Sequence, residues 1–321
     1  MVHKRTCEVA RIHNDSQIRY STPYKHPPHT AHPPTGPGIT NINMASGASK
    51  LIPSDPEKVM VIRNLTSTIK ICSVPFLRFG RIKIGGRGTI VQLASGNLAV
   101  FSPVALTETV KKELAGFGNG QVKYITALDQ EHHIFLEPWH KAFPDASVIG
   151  PETLPGYRDK QSYGKIPQAD WVLFKKGDMG SWKVSEEFDR EFDAEYVSAH
   201  PNQELVFNHK PSRTLIEADL LFNLPATEQH SKAGVSATSG FLTRLACAIN
   251  NTNGDATWQK RFLWYAISAG DRPGFNQSVG RIAQWDFDRI VPCHGDVVER
   301  DGKGIFKKVF GFHLDALRKG Q

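Results

Sequence analysis

The sequence holds only four cysteines, Cys7, Cys72, Cys247 and Cys293, with no C-x-x-C pair and no disulfide-framework spacing. That excludes a stapled secreted scaffold and suits a reducing compartment, where a thiol is a small buried hydrophobe more often than a reagent. Cys293 precedes His294, but neighbours on a strand point to opposite faces, so it reads as packing rather than as a nucleophile. Long apolar runs are missing too. The longest patches, such as Phe262 to Ile267, fall well short of the roughly 18 residues of a membrane-spanning helix, so a soluble protein with no membrane partner is expected. No concentrated basic face or known motif accompanies the net charge of +7, and no nucleic-acid partner is expected. There is no internal repeat.

What is present is ordinary for a globular chain: 40% apolar, 22% charged and 10% aromatic residues over a length of 321, enough for one large core or two modest ones. Residues 1–50 differ from the rest. The run PYKHPPHTAHPPTGPG has no apolar period and cannot offset its ordering entropy by burial, so a disordered, basic, Pro/His-rich tail is expected. Its histidines, His3, His13, His26, His29 and His32, read as solvated. Met44 is a natural start for the folded part, and residues 51–321 are expected to form one domain. Cytoplasmic localisation is expected. Organellar targeting by the tail stays open, although its prolines spoil the amphipathic helix of a transit peptide.

From Val59 onward the pattern is that of strands: VMVIR, TIKICSV, GRIKI, GTIVQL and NLAVFSP, set apart by Gly, Asn, Pro or Ser. LTETVKKELAGFG predicts a helix capped by Thr107, with Val110 and Leu114 one turn apart. VKYIT is a strand, and DQEHHIFLEPWHKAF opens a second helix. ELVFNH (204–209) and RTLIEAD (213–219) are strands joined by a Lys210-Pro211-Ser212 turn. Helical stretches follow, then strand RIVPC, then KGIFKKVFGFHLDALRK, whose Ile305, Val309, Phe312 and Ala316 fall on one helical stripe. Strands, intervening helices, a second strand group and more helices imply a layered α/β fold.

The informative residues stand where strands end. One strand runs into Thr126-Ala127-Leu128-Asp129-Gln130-Glu131-His132, another closes on Asp219, and a third closes on His294-Gly295. Ligands of α/β proteins gather at the carboxyl ends of strands, and these histidines and carboxylates have the composition of a transition-metal site. Other polar residues read as structural: His133 on another helix face, Trp139 and His140 as packing groups, and His209 as a strand-end or surface residue. Arg213 is expected to pair with Asp219 or another carboxylate.

In the order and approximate spacing of these segments the chain resembles the metallo-β-lactamase superfamily. Its first motif, T-H-x-H-x-D-H, falls on Thr126–His132, its bridging aspartate on Asp219, its last histidine on His294, and its third-motif histidine near His200. More narrowly, EHHIFLEPWHKAFPDASVIGP, NHKPSRTLIEADLLFN and RIVPCHGD resemble a branch of uncharacterised domain proteins of the DUF4336 type. The resemblance spans about residues 60–317 and implies a four-layer αββα sandwich.

It also implies a site that departs from the family's. The places of the first metal hold Ala127, Asp129 and His200, and alanine ligates nothing. Those of the second hold Glu131, His132, Asp219 and His294, which keep the ligand types. One zinc or iron ion is therefore expected rather than two, on Glu131, His132, Asp219 and His294, with Asp129 and His200 as weaker candidates. Asp129, freed from ligand duty, is expected to orient water or act as general base. The implied activity is metal-dependent hydrolysis of a small ester, thioester or lactone-like substrate. The alternative is a non-catalytic binding or scaffold protein that has lost the metal.

Overall fold

The computed structural model describes residues 39–42 and 50–320. The expected tail histidines, Cys7 and the Met44 start lie outside the described residues. Within the stretch expected as tail, Ile39–Ile42 (β1) pairs antiparallel with Lys50–Pro53 (β2). A short hairpin, Leu77–Arg78 (β5) and Ile82–Lys83 (β6), extends this small sheet in the order β1-β2-β5-β6.

Two larger sheets carry the fold. The first takes Val61–Asn64 (β3), Ile69–Val74 (β4), Gly86–Gln92 (β7), Leu98–Phe101 (β8), Val122–Thr126 (β9), Ser147–Pro151 (β10) and Trp171–Phe174 (β11). Its order is β11-β10-β9-β8-β7-β4-β3, antiparallel from β3 to β8 and parallel from β8 to β11. The second takes Phe192–Val197 (β12), Glu204–His209 (β13), Thr214–Ile216 (β14) and Arg289–Val291 (β15) in sequential order, with β14 and β15 parallel.

Side-chain alternation sets the layers. Ile69, Ile71, Val91 and Phe101 of the first sheet meet Leu205, Phe207, Ile216 and Val291 of the second in one buried cluster. Their strand neighbours Cys72, Ile90, Val100 and Val148 point the other way, under Val110, Leu114, Leu136 and Trp139 of the flanking helices. On the far side, Val206, Leu215 and Ile290 are covered by Phe275, Val279, Phe306 and Phe310. Helix, sheet, sheet, helix is the expected αββα sandwich, with each sheet buried on both faces.

Elements with a local signal form where the sequence predicts them. Helix Glu108–Ala115 starts where Thr107 Oγ1 accepts the Val110 N–H at 3.3 Å. The helix expected from DQEHH begins only at Leu136, because Asp129 first folds the chain into a turn. The single C-terminal stripe is also corrected. Phe310 leaves the helical conformation (ψ 17°), which splits the segment into Gly302–Val309 and Gly311–Lys319. The break shifts the buried face to Phe306, Val309, Phe310 and His313 and leaves Phe312 outside.

Candidate metal centre

At the carboxyl end of β9, Asp129 Oδ1 accepts the backbone N–H groups of Glu131 and His132 at 2.7 and 2.8 Å. The same oxygen lies 2.8 Å from His132 Nδ1. A carboxylate oxygen only accepts, so Nδ1 carries a proton, and in the neutral ring Nε2 then holds the lone pair. The second sheet supplies the other two groups. Glu204, at the start of β13, accepts the N–H groups of Ala218 and Asp219 at 2.8 and 3.0 Å and so fixes the backbone just past β14. Asn202 donates to Asp219 Oδ2 at 2.6 Å and leaves Oδ1 facing His294 Nε2 at 3.1 Å.

His294 follows β15. Its Nδ1–H donates to the Gly85 carbonyl at 2.7 Å, so in the neutral ring Nε2 holds the lone pair. The turn requires glycine at 295. Its φ is +91°, and a Cβ there would stand 2.2 Å from the Asn223 carbonyl oxygen. Gln229 spans the turn, accepting from Gly295 N–H at 3.0 Å and donating to the Cys293 carbonyl at 2.7 Å. Phe76 and Phe222 flank the His294 ring.

The Nε2 atoms of His132 and His294 thus face each other at 3.1 Å. When both rings are neutral, this arrangement sets lone pair against lone pair, with the Asp219 carboxylate alongside. The arrangement calls for a cation, either one extra proton or a metal ion. The ligand atoms of His132, Asp219 and His294 all lie within 4.8 Å of one another. Around a tetrahedral zinc with bonds of about 2.0–2.1 Å, ligand atoms stand roughly 3.3 Å apart, close to the two 3.1 Å separations here. Two imidazoles and a carboxylate, each held from behind by a second hydrogen bond, fit zinc or iron. Burial raises the Asp219 carboxyl, but positive charge on the His132, His294 and His200 rings, together with a hydrogen bond from protonated His294, outweighs it and holds the group below the ordinary range.

The other sequence candidates sit differently. Glu131 pairs with Arg78 at 2.8 Å and accepts from Tyr157 at 3.1 Å, so its carboxylate is engaged outside the three-residue cluster. Asp129 is wholly buried, with one oxygen shared by three donors, and lines neither pocket described below. Its geometry is that of a residue aiming His132. His200 borders the site, but its Nδ1 accepts from Asn202 N–H at 3.2 Å, which puts the proton of the neutral ring on Nε2. Burial lowers its pKa, against the pull of Asp219 and Asp129. His133 is buried beneath Arg158 and the Tyr157 and Tyr163 rings. Trp139 donates to the Val104 carbonyl, and His140 meets Asp170. His209 ends β13 but is buried, bonded to Ser212, not at the surface. Arg213 forks onto Asp286 rather than Asp219.

Sequence reasoning missed Glu204, Asn202, Arg78 and Gly85. A glutamate heading the apolar strand ELVFNH was a visible oddity. The buried carboxyls of Glu204 and Glu217 are raised well above the ordinary range, chiefly by burial.

Two pockets open beside the cluster and share Arg78, Asp219 and His294 as their common wall. The one of about 590 Å³ adds His132, Glu131 and Phe135. The other, about 1030 Å³, is mostly apolar, with Ile82, Leu220, Phe222 and Leu263.

The fold and this cluster define a protein of the metallo-β-lactamase fold. It is similar to a metallo-β-lactamase from Pontibacter korlensis at 11% identity, covering 80% of this chain and 99% of that one with a TM-score of 0.51. A metallo-β-lactamase from Hirschia baltica (10% identity, 80% and 98% covered, TM-score 0.48) and a flavoprotein from Thermotoga maritima (11%, 79% and 61%, 0.49) are further neighbours. Identity this low speaks of fold alone. The family described as "Domain of unknown function (DUF4336)" matches residues 79–254, over half the chain, and the protein belongs to that family as a divergent member of the fold. No curated protein matches the sequence.

Proposed function

We propose that the protein is a metal-dependent hydrolase of a small ester, thioester or lactone-like substrate. One zinc or iron ion would be held by His132, Asp219 and His294. The observation that carries the reading is the convergence of two imidazole Nε2 atoms, 3.1 Å apart, and the Asp219 carboxylate, while each ring is held at Nδ1 by an acceptor. Such an ion supplies Lewis acidity and lowers the pKa of a bound water toward neutrality.

The chain's own residues have distinct tasks. Asp129 holds the His132 ring, Gly85 the His294 ring, and Asn202 one oxygen of Asp219. Asp129 is thus a positioning residue in this reading, not the general base its place in the sequence suggested. Arg78, tied to Glu131, sets a positive group at the wall common to both pockets. The apolar lining of the larger pocket suits the acyl part of a substrate. Residues 51–321 act as one unit on a small molecule. Among the described residues no helix is long and apolar enough to cross a membrane. A cytoplasmic location belongs to the same proposal and is supported by the scattered cysteines, which suit a reducing compartment.

The test is elemental analysis of protein purified without a metal-binding tag, followed by a screen of acyl esters, thioesters and lactones. Near-stoichiometric zinc or iron, lost in a His132→Ala/His294→Ala double variant, is expected. A stable protein that is free of metal and takes none up on dialysis against zinc or iron would leave a scaffold that has kept the sandwich without the chemistry.

A further inference from the structure

The mouth of the larger pocket is bordered by an apolar surface that the hydrolytic reading does not use. Helix Phe241–Ile249 has the sequence FLTRLACAI, and Thr243 is its only fully buried residue. A helix that is apolar nearly all round normally lies inside a protein. Here Phe241 is 72% exposed and Leu245 49%. The helix packs beside Thr257–Phe262, which runs on into a π-helical turn, Leu263–Ile267, and these add Trp258 at 60% and Tyr265 at 71%. Phe79, at the tip of the β5–β6 hairpin, is also exposed and adopts a left-handed φ of +52°, a conformation unfavourable for a bulky residue. Phe79, Ala246 and Phe262 all line the pocket, so the hairpin tip and both helices meet at its entrance.

The charge around this surface is mostly positive. Residues 241–267 carry Arg244, Lys260 and Arg261 against Asp255 alone, and the hairpin adds Arg81 and Lys83 beyond the Arg78 that pairs with Glu131. Arg261 lies over the Trp258 ring. Exposed Phe, Leu, Trp and Tyr fringed by Arg and Lys are the composition of a helix that lies in a lipid interface. Aromatics settle at headgroup level while basic groups meet anionic phosphates. Nothing here needs a spanning segment: lying on a membrane asks only for an apolar face and a charged fringe.

We propose that the face formed by Phe241–Ile249, Thr257–Ile267 and the Phe79 hairpin tip docks on an anionic lipid surface, with the larger pocket opening into it. The docking is independent of the metal.

The test is co-sedimentation of the full chain with vesicles of phosphatidylcholine alone or mixed with phosphatidylglycerol. Binding to the mixed vesicles is expected to exceed that to the neutral ones by roughly tenfold or more and to weaken with salt. Phe241→Ser combined with Leu245→Ser should lower it by about tenfold with an unchanged melting temperature, since both side chains are exposed. Arg244→Glu with Lys260→Glu should abolish the preference for anionic vesicles. Brominated acyl chains should quench fluorescence less in Trp258→Phe than in the parent. Protein stripped of metal should bind equally. Three results would overturn the proposal: no sedimentation with either vesicle, binding indifferent to these variants, or a dimer in solution that Phe241→Ser/Leu245→Ser dissolves. The last would assign the face to a second copy of the chain.

Discussion

His132 Nε2 and His294 Nε2 lie 3.1 Å apart although 162 residues separate them, and each is turned toward the other by an acceptor behind its ring. Neutral imidazoles gain nothing from this approach. A cation between them makes it favourable, and Asp219 on the rim adds the negative charge that would hold one.

Ligand removal should therefore show in stability. With metal at about a hundredfold above its dissociation constant, binding to the folded state alone contributes about 2.7 kcal/mol. For a domain of this size that corresponds to a melting temperature higher by roughly 5–10 °C. Thermal melts before chelation, after it, and after readdition of zinc or iron should fall and recover by this amount. A curve indifferent to chelator would count against the site.

Glu131 and Asp129 should rank opposite to their places in the sequence motif. Glu131→Gln removes a charge that Arg78 already engages at 2.8 Å, so metal affinity should change by no more than about threefold. Asp129→Asn disturbs the acceptor behind His132 Nδ1 and should weaken metal binding by about 10–100-fold. Competition titrations with a chromophoric chelator give both values. The reverse ranking would restore Glu131 as a ligand.

Gly295→Ala should be costly for both fold and site. The positive φ and the Asn223 carbonyl oxygen 2.2 Å from the added carbon leave no relaxed solution. A loss of about 3 kcal/mol or more in urea unfolding is expected, with reduced metal content because His294 is adjacent. Full metal loading and parental stability would show that the turn can move.

Stability should also fall in mild acid through His313. Burial, aided by the charge of Arg272, lowers its pKa from 6.5 to about 4. In the unfolded chain the ring takes its proton near pH 6.5, whereas the folded ring stays neutral until about pH 4. The unfolded state binds more protons in between, so this contribution is complete above the upper value and is lost as pH falls toward the lower. Moving from pH 7 to 4.5 should cost about 2 kcal/mol from this residue. His313→Phe, which keeps an aromatic ring beside Phe275 and Trp264, should flatten the profile by that share. An unaltered slope would assign it to other groups.

How far the sequence carried follows from the range of each interaction. Strand β13 could be read residue for residue from ELVFNH, and helix Glu108–Ala115 from Thr107 and a glycine, because period and cap are local. Asp219 and His294 were legible as strand-end ligand types, and the family resemblance gave their order. The partners were not legible. Arg78 reaches Glu131 across 53 residues, and Gly85 reaches His294 across 209, where only the fold decides who meets whom. The C-terminal stripe failed for the opposite reason: a local break at Phe310 reset a period read as continuous.

The sheet that carries His132 is closed by residue 174, whereas Asp219 and His294 belong to segments made later. The proposed site is thus divided between the two sheets, and the half that carries His132 offers too few candidate ligands to hold an ion by itself. If the site takes a metal as proposed, its occupancy would report that the two halves have packed together.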